Sequence, residues 1–288
     1  MPAAQRPLPR RLRTRVAQGL ALSLQVVDEY WYAGRVRCVT PEGDCVPALE
    51  ALTFEEDRLW VDGVLIEGAP AAAYALLNKP KYVTSTAHDP DGKSDLAPYL
   101  GEMPAGCFPV GRLDRETTGL LLCTTDGELA NAVLRPDHET TKTYWLWLDE
   151  ALADDDPRLA TLLSGVEHNG EHLSAKDVRI AARNEYATEL ELTLTQGKKR
   201  QVRHMCRALN LRLVHLHRKR IGPLTDRGLA LGAWRLLEHA EVEALWTAAG
   251  GREKLRARKV FVLRQHALEA RAAGTPALRL ERWLHGEP

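Results

Sequence analysis

The sequence has no pair of closely spaced cysteines. Its five, Cys38, Cys45, Cys107, Cys123 and Cys206, are odd in number and form no CxxC, which excludes a disulfide framework and a cysteine-built zinc site and fits a reducing cytosol. No window approaches the roughly 20 apolar residues of a membrane span. The opening "MPAAQRPLPRRLRTR" has arginine and proline where a signal peptide needs an apolar stretch. A cytoplasmic protein that does not associate with membranes is expected. Net charge is missing too: 39 basic residues stand against 39 acidic ones, which excludes a uniformly basic nucleic-acid binder. No internal repeat divides the chain.

What is present is a globular composition. The 288 residues, 44% of them hydrophobic, suffice for two or three domains and a substantial core. The charges are unevenly spread. Arg6, Arg10, Arg11, Arg13 and Arg15 occupy the first fifteen residues without an acid, and Lys198, Lys199, Arg200, Arg203, Arg207, Arg212, Arg218, Lys219 and Arg220 form a second acid-free run, whereas acids collect in "DEALADDDP". One reading is a polyanion-binding face on a neutral body. The other is a set of solvated helix faces, with residues 1–15 as a basic disordered arm.

Along the chain, residues 16–68 form a small module. It opens with the helical stretch "VAQGLALSLQVVDEYWYAG" and ends in "DRLWVDGVLIEG", where Asp62-Gly63 marks a tight hairpin. "EGAPAAA" links it to a second domain over residues 74–249. There "YALLNKPKYVTST" reads as an apolar strand stopped by Pro80, and "HDPDGKSDLAPYLGEMPAG" as a long active-site loop. "LLLCTTDGELANAVL" gives a strand, a turn and a helix start. "KTYWLWLDE" and "EYATELELTLTQG" alternate at period two, as half-buried strands do. "KKRQVRHMCRALN" sets Val202, Met205 and Leu209 at helical spacing with its basic side chains on the other face. The class is mixed α+β with a mostly antiparallel sheet. Residues 250–288 read as a basic, helix-prone extension.

One stretch raises a chemical question. "GRLDRETTGLLL", residues 111–122, puts Asp114 between Arg112 and Arg115 with no histidine or cysteine beside it. A turn or capping role explains such an Asp, its arginines then being surface ion pairs. A chemical role is favoured by Gly111, which allows close backbone approach, by the apolar strand that starts at Gly119, and by the downstream arginine cluster that could pair with the acid. His215 and His217 share a strand face and invite a metal hypothesis, but no third ligand is in view. Solvent- or RNA-facing histidines opposite Val214 and Leu216 are the expectation.

Taken together, "LLNKPKYVTST", "GRLDRETTGLLLCTTDGELA", "KTYW", "LTQGKKRQVRHMCRALN" and "LHRKRIGPLTDRGLALGAWRLL" resemble, in order and spacing, the RsuA-type ribosomal RNA pseudouridine synthases over residues 74–247. The resemblance implies an isomerase that converts a specific uridine to pseudouridine through a carboxylate nucleophile, without metal or cofactor. It implies that Asp114 is that nucleophile, that Arg203 is its charge partner, and that Tyr144 stacks under the base and is a candidate for proton transfer. Arg112 would enter the RNA stack left by an extruded uridine. Lys79 either contacts phosphate or shapes a turn. Lys198, Lys199, Arg200, Arg207, Arg218, Lys219 and Arg220 would track the RNA backbone.

Residues 16–68 stand where an S4-like RNA-binding module precedes this domain, with "YWYAGRVRC" and "RLWVDGVLI" similar to its pattern and the basic content of its helix reduced. The partner implied is ribosomal RNA, free or in an assembly intermediate with ribosomal proteins, and the protein a monomer. "STAHDPDG" and "LHRKRIGPL" lean toward the 16S RNA of the small subunit. The alternatives are a large-subunit 23S enzyme, a silent RNA-binding or assembly protein of the same fold, and a carboxylate-dependent nucleoside or glycoside hydrolase. The last is disfavoured because no second acid is placed to activate water.

Overall fold

The computed structural model describes residues 6–43, 48–68, 70–135, 140–274 and 277–287. Cys45, residues 1–5 of the expected arm, residue 69 of the linker, and residues 275, 276 and 288 of the extension lie outside them. The chain divides into two compact units: residues 1–71 together with 251–288, and residues 72–250. No described helix is long and apolar enough to cross a membrane.

The first unit begins with β1 (Arg10–Arg11) and runs into α1 (Leu12–Leu20) and α2 (Leu24–Tyr32), the latter capped by the Ser23 hydroxyl accepting from the Val26 amide at 3.3 Å. β2 (Val36–Val39), β4 (Arg58–Val61) and β5 (Val64–Leu65) form an antiparallel sheet, and β3 (Leu52–Thr53) pairs with β1. Asp62 and Gly63 both take positive φ, 52° and 78°, as a type I′ hairpin requires. The expected disordered arm is corrected at its inner end. Residues 12–15 are helical because Leu12 and Val16 are fully buried with Val27, Leu59 and Val61. The arginines fold back onto local acceptors, Arg13 onto Asp28 and Arg15 onto the Phe54 carbonyl at 2.6 Å. The extension is corrected as well. Its two helices, Arg252–Ala272 and Leu278–His285, belong to this unit and share a core of Phe54, Leu263, Ala267, Leu280 and Trp283.

In the second unit, β6 (Tyr74–Lys79) ends at Pro80, which has no amide to continue the ladder. The long loop that follows contains α3 (Ala97–Glu102) and leads to β7 (Phe108–Pro109). β8 (Thr118–Thr124) is buried at every residue, so it reads as a continuous apolar run. Asp126 then caps α4 (Gly127–Leu134), accepting from the amides of Glu128 at 2.9 Å and Leu129 at 3.1 Å. β9 (Lys142–Leu148), α5 (Pro157–Ser164), β10 (Val166–His168), β11 (Glu171–Leu173), β12 (Asp177–Arg183), β13 (Thr188–Leu194), α6 (Gln201–Ala208), β14 (Leu213–Ile221), β15 (Leu224–Thr225), β16 (Trp234–Leu236) and α7 (His239–Ala248) complete it.

Among the described residues, nine strands make one sheet in the order β12-β13-β9-β14-β8-β6-β16, with β15 on β14 and β7 on β8. Every neighbouring pair is antiparallel except β14 and β8, which run parallel. Two antiparallel groups therefore meet at one parallel seam. Leu146, Leu190, Leu192 and Leu216 pack with Val202, Met205 and Cys206 of α6 on one side of the seam. Ala75, Leu77, Leu121 and Cys123 pack with Leu96 and Met103 on the other.

Candidate active site

The loop that carries Asp114 enters β8 at this seam, and its backbone is fixed on both sides of the acid. The buried Ser85 hydroxyl accepts from the Leu113 amide at 3.0 Å and donates to the Leu113 carbonyl at 2.9 Å. The Tyr82 amide donates to the Arg115 carbonyl at 2.6 Å, and the Thr117 amide closes a turn on the Asp114 carbonyl at 2.9 Å. A group that must meet a reacting atom needs this restraint.

α6 supplies the cation. Arg203 Nη2 donates to Thr117 Oγ1 at 3.3 Å, and its Nε stands 3.7 Å from Asp114 Oδ2. That distance is an ion pair, too long for a hydrogen bond. Nε is buried and has no hydrogen-bond partner among the described residues. The two side chains are 18% and 26% exposed, so the carboxylate keeps an open side. Glu116 lies 3.7 Å from Arg203 Nη1 and 3.6 Å from Arg200 Nη2, at the rim. His204, next in α6, stacks on His168 with ring centres 3.9 Å apart. Burial, then the charge of His168, keeps His204 below the ordinary imidazole range.

Tyr144 is placed by register. Lys79, Gly119, Arg218 and Tyr144 are successive partners across β6, β8, β14 and β9, so their side chains share one face. Gly119 has φ 108°, and a Cβ there would stand 2.3 Å from the Arg218 carbonyl oxygen. Only glycine fits this close approach. Tyr144 packs at the edge of the leucine core that α6 covers.

Of the two readings of Lys79 the geometry favours the turn, and one expected RNA contact, Arg218, is corrected. Lys79 is fully buried, its ammonium donating to the carbonyls of Pro80 at 2.8 Å and Val83 at 2.9 Å. Burial, followed by the charge of Arg218, pushes it down to about 8, while Asp114 acts in the opposite sense. Arg218 is 6% exposed and donates from Nε to the Leu120 carbonyl at 2.7 Å. Arg218 falls on the buried phase of β14, whereas β6 is buried on both faces from Ala75 to Lys79. The other basic candidates spread along the surface. Arg112, Lys199, Arg200, Arg207 and Arg220 are exposed. Lys198 pairs with Glu171 at 3.4 Å, and Lys219 lies 3.7 Å over the Trp145 ring and 3.8 Å from Glu191.

His217 is also more enclosed than expected, holding Asp226 Oδ2 at 2.8 Å and Thr118 Oγ1 at 2.8 Å, while Val214 is the exposed neighbour. Among the described residues no group of three or more histidines, cysteines or acids is arranged for a metal ion. The residues missed in the sequence are Ser85 and Thr117, whose hydroxyls shape the loop. Nothing in their spacing distinguishes them from neighbouring threonines. As chemistry, the arrangement offers one accessible carboxylate beside a guanidinium. That is a nucleophile's setting more than an acid–base pair's.

The RNA pseudouridylate synthase family matches residues 73–208 of the chain. Over 195 residues the sequence is 34% identical to an uncharacterized RNA pseudouridine synthase of Aquifex aeolicus, covering 66% of this chain and 78% of that one. It is 32% identical over 240 residues to ribosomal small subunit pseudouridine synthase A of Salmonella typhimurium, covering 82% and 99%. It is 31% identical over 237 residues to ribosomal large subunit pseudouridine synthase B of Bacillus subtilis, covering 82% and 95%. A solved pseudouridylate synthase superposes with a TM-score of 0.56 at 27% identity, covering 82% of this chain and 99% of the other.

Proposed function

The chain belongs to the RNA pseudouridylate synthase family, and from that premise we propose that it isomerises one uridine of small-subunit ribosomal RNA, with Asp114 as nucleophile. The observation that carries the assignment of the acid is the Arg203 guanidinium 3.7 Å from a partly open carboxylate on a pinned loop. The small-subunit preference is supported by the 32% identity that spans nearly the whole Salmonella enzyme.

In the reaction the bond between uracil N1 and ribose C1′ breaks, the base turns, and C5 bonds to C1′. The C5 proton is lost and N1 gains one, so no atom or electron is exchanged with a cofactor. Asp114 attacks either the sugar or the base and is released when the new bond closes. Arg203 offsets the carboxylate's charge before attack and holds the acid in place after it. Tyr144 stacks under the base and is the candidate to move the C5 proton. A paired uridine cannot reach this carboxylate without leaving its stack, and Arg112, exposed two residues before the acid, fills the vacancy with a planar cation. Exposed Lys199, Arg200, Arg207 and Arg220 hold backbone phosphates, an affinity that falls with salt. The first unit, with two helices followed by an antiparallel sheet, acts as the S4-like RNA-binding module.

A large-subunit target is the second reading, favoured by the 31% identity to the Bacillus enzyme. The test is carbodiimide mapping of pseudouridine on small- and large-subunit RNA, free and within assembling particles, using wild type and Asp114→Asn. One new stop on small-subunit RNA with wild type alone is expected. A stop on large-subunit RNA moves the target, and a stop that persists in the variant removes Asp114 from the chemistry.

A further inference from the structure

The turn that follows β6 holds a residue its backbone does not favour. Tyr82 has φ 69°, in the left-handed region, which a bulky side chain rarely adopts. Such a conformation persists only where the surroundings fix it. Here they do. The buried Lys79 ammonium donates to the carbonyls of Pro80 at 2.8 Å and Val83 at 2.9 Å, closing the turn from behind. The Tyr82 amide donates to the Arg115 carbonyl at 2.6 Å, and Val83 is buried with Leu77, Leu96 and Leu121. The Tyr82 side chain takes no part in that core. It is 53% exposed, and among the described residues its hydroxyl forms no hydrogen bond.

The ring belongs to the wall of the loop that carries the acid. Ser85 Oγ bonds both backbone groups of Leu113 and the Tyr82 amide bonds Arg115, so residues 82–85 are tied to the loop on both sides of Asp114. The ring's neighbours are cations. Lys81 Nζ lies 5.1 Å and Arg115 Cζ 5.3 Å from its centre. Neither is seated on the ring as Arg35 is on Tyr30 at 3.6 Å or Lys219 on Trp145 at 3.7 Å, so they border it without capping it. Glu116, the adjacent acid, pairs with Arg200 and Arg203, and among the described residues no acid pairs with Lys81 or Arg115. An exposed aromatic ring bordered by unpaired cations is the combination that holds a single-stranded nucleic acid, the ring stacking on a base and the cations meeting phosphates.

We propose that Tyr82 is a stacking platform for the unpaired base next to the target uridine, with Lys81 and Arg115 on that nucleotide's phosphates. The inference deepens the reading of the chain as an RNA uridine isomerase and rests on it. Bonded to the residue next to Asp114, the platform takes the neighbour of a uridine seated at the acid. Because its turn is already fixed, little freedom is lost when a base lands on it. A stack accepts any base, so the platform selects an unpaired flank and not a particular sequence.

The test is fluorescence anisotropy of the full chain with two labelled probes, rA8 and a ribose-phosphate chain of equal length without bases. Asn tolerates the left-handed region, so Tyr82→Asn removes the ring and keeps the turn. It should weaken rA8 about tenfold, equivalent to about 1.4 kcal/mol, as loss of one base stack does, and leave the base-free chain unchanged. Tyr82→Phe should hold rA8 within about twofold of wild type. The slope of log affinity against log salt should stay the same in Tyr82→Asn and fall by about 0.7 in Arg115→Ala. Unchanged rA8 binding in Tyr82→Asn overturns the platform. So does equal weakening of both probes or a lower unfolding temperature in that variant, since either makes the ring a support of the loop. Pseudouridine formation on the ribosomal RNA gives the position: Tyr82→Asn should raise KM about tenfold with kcat within a few-fold, and an unchanged KM detaches the platform from the target uridine. Turnover with an unaffected Tyr82→Asn sinks the platform alone, and ring-dependent rA8 binding without pseudouridine sinks the proposed reaction.

Discussion

Asp114 and Arg203 should respond differently to removal. Asp114→Asn keeps the size and the pinned loop but loses the proposed nucleophile, so turnover should fall below detection while RNA affinity, assigned in the proposal to phosphate contacts elsewhere, stays within a few-fold. A loss of binding equal to the loss of turnover would make the acid structural. Arg203→Ala should lower kcat far more than it changes KM, because in the proposed reaction the cation acts on the reacting group and not on bound RNA. It should also cost about 1–2 kcal/mol of stability by urea denaturation, less than a fully buried pair, since both side chains keep some exposure. A normal kcat would remove Arg203 from the site. The pairing of these two residues was legible because ordered motifs carry them. Ser85 was not, because a hydroxyl that bonds the Leu113 backbone from 28 positions away leaves no local pattern. Arg218 was misread as an RNA contact because a run of cations gives their number but not the phase in which each side chain points.

At the scale of elements, the seam between β14 and β8 is the tightest constraint. Gly119→Ala would bring a Cβ within 2.3 Å of the Arg218 carbonyl oxygen and force an alanine to φ 108°. The seam cannot yield without parting two buried strands, so a loss of about 3 kcal/mol or more is expected in thermal or urea unfolding. An alanine variant of wild-type stability would show that the strands separate easily. Lys142 opens β9 beside the same row. Burial, with Arg218 adding to it, pushes its ammonium from 10.5 down to about 8. Between these values the unfolded chain binds the proton more strongly, so the native state gains stability as pH rises through that window. Below it both states are protonated and the cost is complete. Above it both are neutral and the cost is gone. Lys142→Met removes the titration, so the stability difference between variant and wild type should shift toward wild type from pH 7.5 to pH 10. A difference constant across that range would count against a buried charge. The period-two pattern of "KTYWLWLDE" revealed β9 itself. It could not reveal which strand lies beside it, because pairing is fixed by distant chain segments.

At the scale of the whole molecule, the sequence suggested a basic tail, and the structure instead assigns residues 251–288 to the first unit. The basic composition hid a sparse apolar stripe: Leu255, Leu263, Ala267, Leu280 and Trp283 are the positions that bury, separated by long charged side chains. Arg279 explains why some of that charge is structural. Asp57 has a fully buried carboxylate that accepts from the Phe54 amide at 2.9 Å and pairs with Arg279 Nη2 at 2.5 Å. Trp283 Nε1 donates to the Pro7 carbonyl at 3.2 Å. The last helix thus ties a turn and the first residues of the same unit, and small units with little core depend on such ties. Arg279→Ala should cost about 3–5 kcal/mol, because it strands the Asp57 charge without a partner. Arg279→Lys should recover only part of this, since one ammonium cannot reproduce the forked donor. Hydrogen exchange provides the check. Protection at the amides of Leu12, Val16 and Leu59 should fall in the alanine variant, because their core shares a unit with the segment that loses its anchor. Unchanged protection there would mean that the C-terminal helices lie against a unit already complete without them.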